Sequence, residues 1–224
     1  MALLLNIETA TTNCSVSLSK DGETFALKED NDKGYSHAER LHVYIKALFE
    51  EHNIESSQID AVAVSKGPGS YTGLRIGVST AKGLCFALDK PLISVSTLEA
   101  LAHQVNTDNG VIVAMLDARR MEVYASVFDA NYNEIREIKA EVLDADAYAF
   151  YLEQGKVYFV GNGVEKTKTI ITHPNAVFVD DKLPSAREMG ALADLKYKKS
   201  DTEDVAYFEP YYLKDFVALK PKAK

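Results

Sequence analysis

The order of short apolar segments and turn signals runs through the same series twice along the chain, and that repetition constrains the fold more than any single motif. Residues 3–9 form a nearly continuous apolar run, the pattern of a central strand buried on both faces. Cys14, Val16 and Leu18 then alternate with Ser15, Ser17 and Ser19, the period of a half-buried strand. Asp21-Gly22 is a hairpin signal, and residues 23–28 continue as a third strand. Ser36 is placed to cap a helix reaching about residue 52. Residues 61–65 read as a short strand, broken by Gly67-Pro68-Gly69. Residues 71–88 have helical length and spacing and are closed by Pro91. Residues 92–95 read as a strand, and Ser96 or Thr97 caps a helix to about residue 105.

The second half repeats the order. Residues 111–116 are a continuous apolar strand, Val123, Ala125 and Val127 alternate along a second, and a turn at 131–133 leads to a third over 134–142. A helix opens at Asp144 and runs to about residue 153. Then come a strand at 157–160, a helix over 163–171, a strand at 177–179 and a helix capped by Ser185 and reaching about residue 198. Residue identities do not repeat, but the layout βββαβαβα does. It predicts an α/β chain of two ribonuclease-H-like lobes, residues 1–105 and 106–224, the duplicated architecture shared by actin, chaperone ATPases and sugar kinases. Two unrelated small α/β units are the alternative. Element order alone assigns no function.

Composition narrows the function classes. With 224 residues and 46% apolar content the chain can bury a sizeable core. A net charge of -8 argues against a broad nucleic-acid surface, so nucleic acid would be reached through a basic partner. The basic cluster is the tail Lys214, Lys220, Lys222 and Lys224. No apolar run approaches membrane-spanning length, and the N-terminus lacks the basic region of a signal peptide. Cys14 and Cys85 form no C-x-x-C pair and read as core fillers of a reduced, cytosolic protein.

In lobes of this architecture, ligand phosphates sit against the loop joining the first two strands. A Gly there lets the backbone come close, and an Asp positions metal and water. The first loop reads Glu8-Thr9-Ala10-Thr11-Thr12, with Glu8 in place of the Asp and Ala10 in place of the Gly. The second, Asp117-Ala118-Arg119-Arg120, also lacks Gly. Thr9, Thr11 and Thr12 are candidate phosphate donors, or else they satisfy the turn backbone. Gly67, Gly69 and Ser70 join them as candidates. They lie in SKGPGSYTGLRIG, a tight strand-to-helix turn where Ser70 or Thr72 caps an anion-competent helix end. The string has neither the Lys of a P-loop nor the spacing of a dinucleotide fingerprint. His37, His42, His52, His103 and His173 form no ligand pattern, and no catalytic triad can be defended from spacing.

At this string the chain resembles the bacterial TsaB (YeaZ) family. GPGSYTGLRIG carries the resemblance, with the run from Pro91 to Glu99 behind it. Ile7-Glu8-Thr9, Asp117-Ala118-Arg119, Glu122-Val123-Tyr124, Gly161-Asn162-Gly163, Glu209-Pro210 and Tyr212-Leu213 also match. The resemblance implies the duplicated actin-like fold and a part in forming threonylcarbamoyladenosine at adenosine 37 of tRNA, with the related TsaD and the small ATPase TsaE as partners. It implies a non-catalytic subunit, a homodimer when alone, that scaffolds or activates TsaD as threonylcarbamoyl passes from its adenylate to tRNA. No cofactor belongs to the chain itself; ATP or ADP is bound by the assembled complex, and tRNA is reached through it. Older vocabulary calls the superfamily glycoprotease-like. TsaD carries His-x-Glu-Gly-His in the helix after the strand matching residues 92–95, and both His are metal ligands. This chain has Thr97 and Leu101 at those positions and keeps only Glu99. A stand-alone actin-like ATPase or small-molecule kinase is the alternative, and a peptidase a third.

Two helices are more apolar than one sheet requires. On a wheel, residues 71–88 present an apolar arc wider than the usual 100° or so, interrupted by a polar seam of Arg75, Lys82 and Ser79 with Phe86 among them. Gly73, Gly77 and Ala81 recur at intervals of four, a groove for close approach of another helix. The resemblance makes these helices the contact with TsaD and with a second copy. Leu41, Ile45 and Leu48 of the first and Leu74, Gly77, Val78, Ala81 and Cys85 of the second are therefore the candidate partner-facing residues. One edge, Ile76–Gly83–Ala87 or Leu74–Val78–Cys85, should face the sheet and the other a partner.

Overall fold

A computed structural model describes residues 1–31 and 37–214, so the Ser36 cap and Lys220, Lys222 and Lys224 lie outside the described residues. The first half comprises β1 (Leu3–Glu8), β2 (Cys14–Lys20), β3 (Glu23–Asp30), α1 (His37–Glu51), β4 (Ala61–Gly67), α2 (Tyr71–Leu88), β5 (Leu92–Ser96) and α3 (Thr97–Ala102). The second comprises β6 (Val111–Asp117), β7 (Glu122–Asp129), β8 (Glu134–Val142), α4 (Ala149–Leu152), β9 (Val157–Val160), α5 (Val164–Lys168), β10 (Ala176–Val179) and α6 (Ala186–Lys198).

The sheets run β3-β2-β1-β4-β5 and β8-β7-β6-β9-β10. β1 pairs antiparallel with β2 and parallel with β4, and β6 does the same with β7 and β9. The connectivity is therefore the duplicated ribonuclease-H-like one that the element order predicts. Local chemistry explains the punctuation. Asp21 and Gly22 both take left-handed φ, 53° and 89°, the twist a two-residue hairpin needs. Ser70, Ser96 and Ser185 each accept a backbone N–H as helix caps. α2 ends at Asp89, whose φ of 52° stops the helix two residues before Pro91. Two second-half helices, α4 and α5, are shorter than the sequence suggests, while α6 runs from the Ser185 cap to Lys198 as read. Asp144 accepts the Asp146 N–H in a turn, and α4 begins only at Ala149. Both cysteines are buried, and desolvation pushes each thiol up to about 11, in keeping with core fillers.

Two expectations are corrected. β2 is buried on both faces, serines included. The cause is α6, which crosses back to the first sheet. Ser15 accepts the Ala186 N–H at 3.0 Å, and Ser17 donates to the Ala186 carbonyl at 2.7 Å. Met189, Leu192 and Ala193 of α6 pack with Leu4, Ala61, Ala63, Ile93 and Val95. In exchange α3 lends Leu98 and Leu101 to a cluster with Ile112, Ala114, Leu116 and Phe128 of the second sheet. A cut at 105/106 thus divides the chain but not the cores, because each half's last helix serves the other half. Beyond α6 the chain forms a strap along the first lobe. The Glu203 N–H donates to the Leu92 carbonyl, Lys82 to the carbonyls of Ala206 and Phe208, and the Tyr211 N–H to the Lys66 carbonyl. The strap ends with Lys214 ion-paired to Glu122 in the second lobe.

Candidate functional site

The first strand-turn loop is sealed under the N-terminus of α2. Glu8, Thr9 and Ala10 are at most 1% exposed. The Ser70 N–H donates to the Ala10 carbonyl at 2.6 Å, and the Thr9 hydroxyl donates to the Gly73 carbonyl at 2.8 Å. Only glycines permit this approach. A Cβ on Gly69 would stand 2.5 Å from the Ala10 oxygen, on Gly73 2.1 Å from the Thr9 oxygen, and on Gly77 2.3 Å from Thr9 Oγ1. The small-residue stripe of α2 therefore receives this chain's own loop, not another helix. His37 closes the far side, its Nε2 donating to the Thr11 carbonyl at 2.7 Å, and burial lowers its pKa.

Glu8 lies at the centre. Its Oε1 accepts from the Ala10 N–H at 2.6 Å and from the Ser65 hydroxyl at 2.9 Å, while Oε2 is buried without a partner. Desolvation outweighs those donors and pushes the carboxyl up to about 7. The candidate phosphate contacts are thus brought together but already used. Thr9 serves α2, and Thr11 Oγ1 accepts the Asn13 N–H. Ser70 caps Gly73, and the Gly67 N–H donates to Thr97 Oγ1 at 3.2 Å. The Thr9 hydroxyl and the Gly67 and Ser70 amides are thus spent within the fold, packing the turn tightly against α2.

The second loop is organised differently. Gly161 lets the backbone pass close to Met115, and Asn162 Oδ1 accepts the Asp117 N–H at 2.8 Å. Lys166 reaches in to donate to Asp117 Oδ1 and to the carbonyls of Arg120 and Glu122. Arg119 and Arg120 stand exposed at its tip.

The helix after β5 carries the positions where the resemblance puts metal ligands in TsaD. Thr97 and Leu101 are both fully buried; Thr97 holds the Gly67 amide, and Leu101 packs in the second-lobe cluster. Glu99 faces a cleft of about 360 Å³ lined by Lys66, Tyr132, Glu134, Glu137 and Tyr211 among others. Burial raises its pKa, against the pull of Lys196 and Lys66. His103 stacks on Tyr132 with ring centroids 4.0 Å apart. Glu99, Glu134 and Glu137 give this cleft an acidic lining, with Lys66 at its edge. Among the described residues no group of three or more His, Cys, Asp or Glu side chains could hold a metal ion.

The partner-facing residues expected on α1 and α2 need correction as well. Leu41, Ile45, Leu48, Leu74, Gly77, Val78, Ala81 and Cys85 are all buried in the chain's own first lobe. Leu74, Val78 and Cys85 form the sheet-facing edge of α2. The exposed residues of α2 are Thr72, Arg75, Ser79, Gly83, Phe86 and Ala87, and Val43 of α1 is exposed as well. Phe86 is 86% exposed and Val43 60%. The signal for Phe86 was its place in the polar seam, where a large aromatic has no core to join.

Comparison with known proteins places this geometry. A family model described as TsaD, tRNA N6-adenosine threonylcarbamoyltransferase, matches residues 33–222. The tRNA threonylcarbamoyladenosine biosynthesis protein TsaB of Haemophilus influenzae is 32% identical, covering 97% of this chain and 95% of that protein. The chain belongs to the TsaB family. The TsaB of Escherichia coli is also 32% identical, over 97% of this chain and 96% of its own length. YeaZ from Pseudomonas aeruginosa superposes with a TM-score of 0.82 at 28% identity, covering 95% of this chain and 100% of that one. The chain is accordingly a tRNA threonylcarbamoyladenosine biosynthesis protein. Among the described residues no helix is long and apolar enough to cross a membrane.

The sealed loop makes measurable demands, with Gly83 as the contrast. Gly73→Ala should cost about 2 kcal/mol in denaturant melting, because the Thr9 backbone cannot retreat. Gly83→Ala, with nothing within 4 Å, should gain about 0.5–1 kcal/mol from helix propensity. The Glu8 carboxyl keeps its proton to about 7 when folded, against an ordinary 4.5. The folded state therefore binds the extra proton between those values, and stability falls as pH rises through that window. Glu8→Gln should remove up to about 3 kcal/mol of that pH dependence in melts across the window.

Proposed function

We propose that the chain performs no chemistry of its own and acts in the cytoplasm as the partner subunit of TsaD. It scaffolds or activates TsaD as threonylcarbamoyl passes from its adenylate to adenosine 37 of tRNA. The observation that carries this reading is the inward packing of Thr97 and Leu101, which gives the ligand positions to a hydroxyl holding a backbone amide and to an alkyl core group. The committed first loop and the acidic cleft support it, since they weigh against a stand-alone ATPase or kinase. ATP or ADP then belongs to the assembly, which TsaE joins, and tRNA is reached through it.

The outer face of α2 with Val43 is the docking face in this proposal, for TsaD in the complex and for a second copy when the chain is alone. Its small residues, Ser79, Gly83 and Ala87, let a second helix lie close, with Phe86 as an exposed apolar anchor. The test mixes purified chain, TsaD, TsaE, threonylcarbamoyl adenylate and unmodified tRNA. The chain alone should transfer nothing, and its addition should raise TsaD-dependent transfer. Ala87→Asp should melt like the parent, fail to associate with TsaD and lose that stimulation. Val78→Asp, at a position 4% exposed, should lose its melting transition. Transfer by the chain alone, or normal association of Ala87→Asp, would overturn the proposal.

A further inference from the structure

Arg119 and Arg120, at the tip of the second strand-turn loop, both have left-handed backbone, φ 70° and 47°. Non-glycine residues adopt that conformation rarely and at a cost, so two in succession are held there by their surroundings. The Arg119 N–H donates to Asp117 Oδ1 at 2.6 Å, and Lys166 ties Asp117 Oδ1 to the Arg120 and Glu122 carbonyls at 2.7, 2.7 and 2.9 Å. The loop is thus braced from beneath while its two guanidinium groups project outward.

Those groups also stand apart from the other arginines. Arg40, Arg136 and Arg187 face Asp30, Glu141 and Glu29, and Arg75 donates to the Tyr212 hydroxyl. Arg119 and Arg120 have no carboxylate and no hydrogen-bond acceptor among the described residues. The neighbouring acids are engaged, Asp117 by Lys166 and Glu122 by Lys214. In a chain of net charge -8, two adjacent unpaired cations on a braced loop mark a place for an external anion.

The strap extends the same chemistry onto the first lobe. Arg75 lies over the Tyr71 ring at 4.5 Å, Tyr71 and Tyr212 have centroids 5.0 Å apart, and Lys214 lies over Tyr124 at 5.9 Å. A basic and aromatic rim therefore runs from α2 through Tyr212 and Lys214 to the second loop.

We propose that this rim, with Arg119 and Arg120 at its centre, receives the phosphate backbone of the tRNA that the complex modifies. The proposal rests on the reading that the chain assembles with the transferase. Guanidinium forks pair phosphate oxygens two at a time. An acidic face on the protein partner is the competing occupant. With few contacts on offer, the chain alone binds RNA weakly, and the contribution appears in the assembly.

The test is the double variant Arg119→Glu/Arg120→Glu, with Arg119→Lys/Arg120→Lys as the conservative control. Affinity for an unmodified tRNA transcript is measured across a salt series, for the chain alone at low ionic strength and for the chain mixed with TsaD. The charge-reversed variant should melt and associate with TsaD as the parent does. It should bind tRNA about tenfold more weakly or worse, with a salt slope shallower by about 1.5, and the lysine variant should retain most of the affinity. Unchanged affinity and slope overturn the proposal. So does loss of TsaD association with tRNA binding by the chain alone unaltered, which assigns the loop to a protein face. If the parent neither associates with TsaD nor stimulates transfer, the partner-subunit reading fails, and the affinity ratio for the chain alone still decides the loop.

Discussion

The closeness of Thr9 and Ala10 to the glycine face of α2 is the constraint on which the rest of the first lobe depends. Backbone-to-backbone contact at this range leaves no room for a phosphate between loop and helix. It commits the Ser70 amide and the Thr9 hydroxyl within the fold. It also buries Glu8, whose carboxyl is satisfied on one oxygen only and prefers its proton. The feature that makes the GPG turn conspicuous in the sequence is therefore a packing device inside one lobe. The same contact seats α2 so that Leu74, Val78 and Cys85 face the sheet and Ser79, Gly83 and Phe86 face outward.

A second constraint couples the lobes. α6 caps the polar face of β2 while α3 fills the core beneath β6, so neither half buries its apolar surface without the other. The strap adds a third connection, from Leu92 past Lys66 and Lys82 to Glu122. Three links of this kind tie the two lobes together.

Much of the fold was legible because hydrophobic period and turn chemistry are local. The LLLNI run, the Asp21-Gly22 hairpin and the Ser70 and Ser185 caps each carry their structure within a few residues. What was misread depends on partners distant in sequence. Ser15 and Ser17 look solvent-facing until α6, about 170 residues later, supplies their hydrogen bonds. Gly73 and Gly77 look like a helix-docking groove until Thr9 is seen to occupy it. A wheel gives the edges of α2 without saying which faces the sheet; the structure turns Leu74, Val78 and Cys85 inward. Arg119 and Arg120 gave no signal beyond their charge, because their distinction lies in backbone conformation and in missing counter-charges.

The first strand-turn loop is closed by the protein itself, with the Ala10 carbonyl and the Thr9 hydroxyl held against α2. Hydrogen exchange of the amides in residues 9–13 tests it most directly, with and without ATP and magnesium. Protection close to that of the β1 core, unchanged by nucleotide, is expected, since the loop opens only with α2. Rapid exchange in the free chain, or protection that rises when ATP is added, would contradict it.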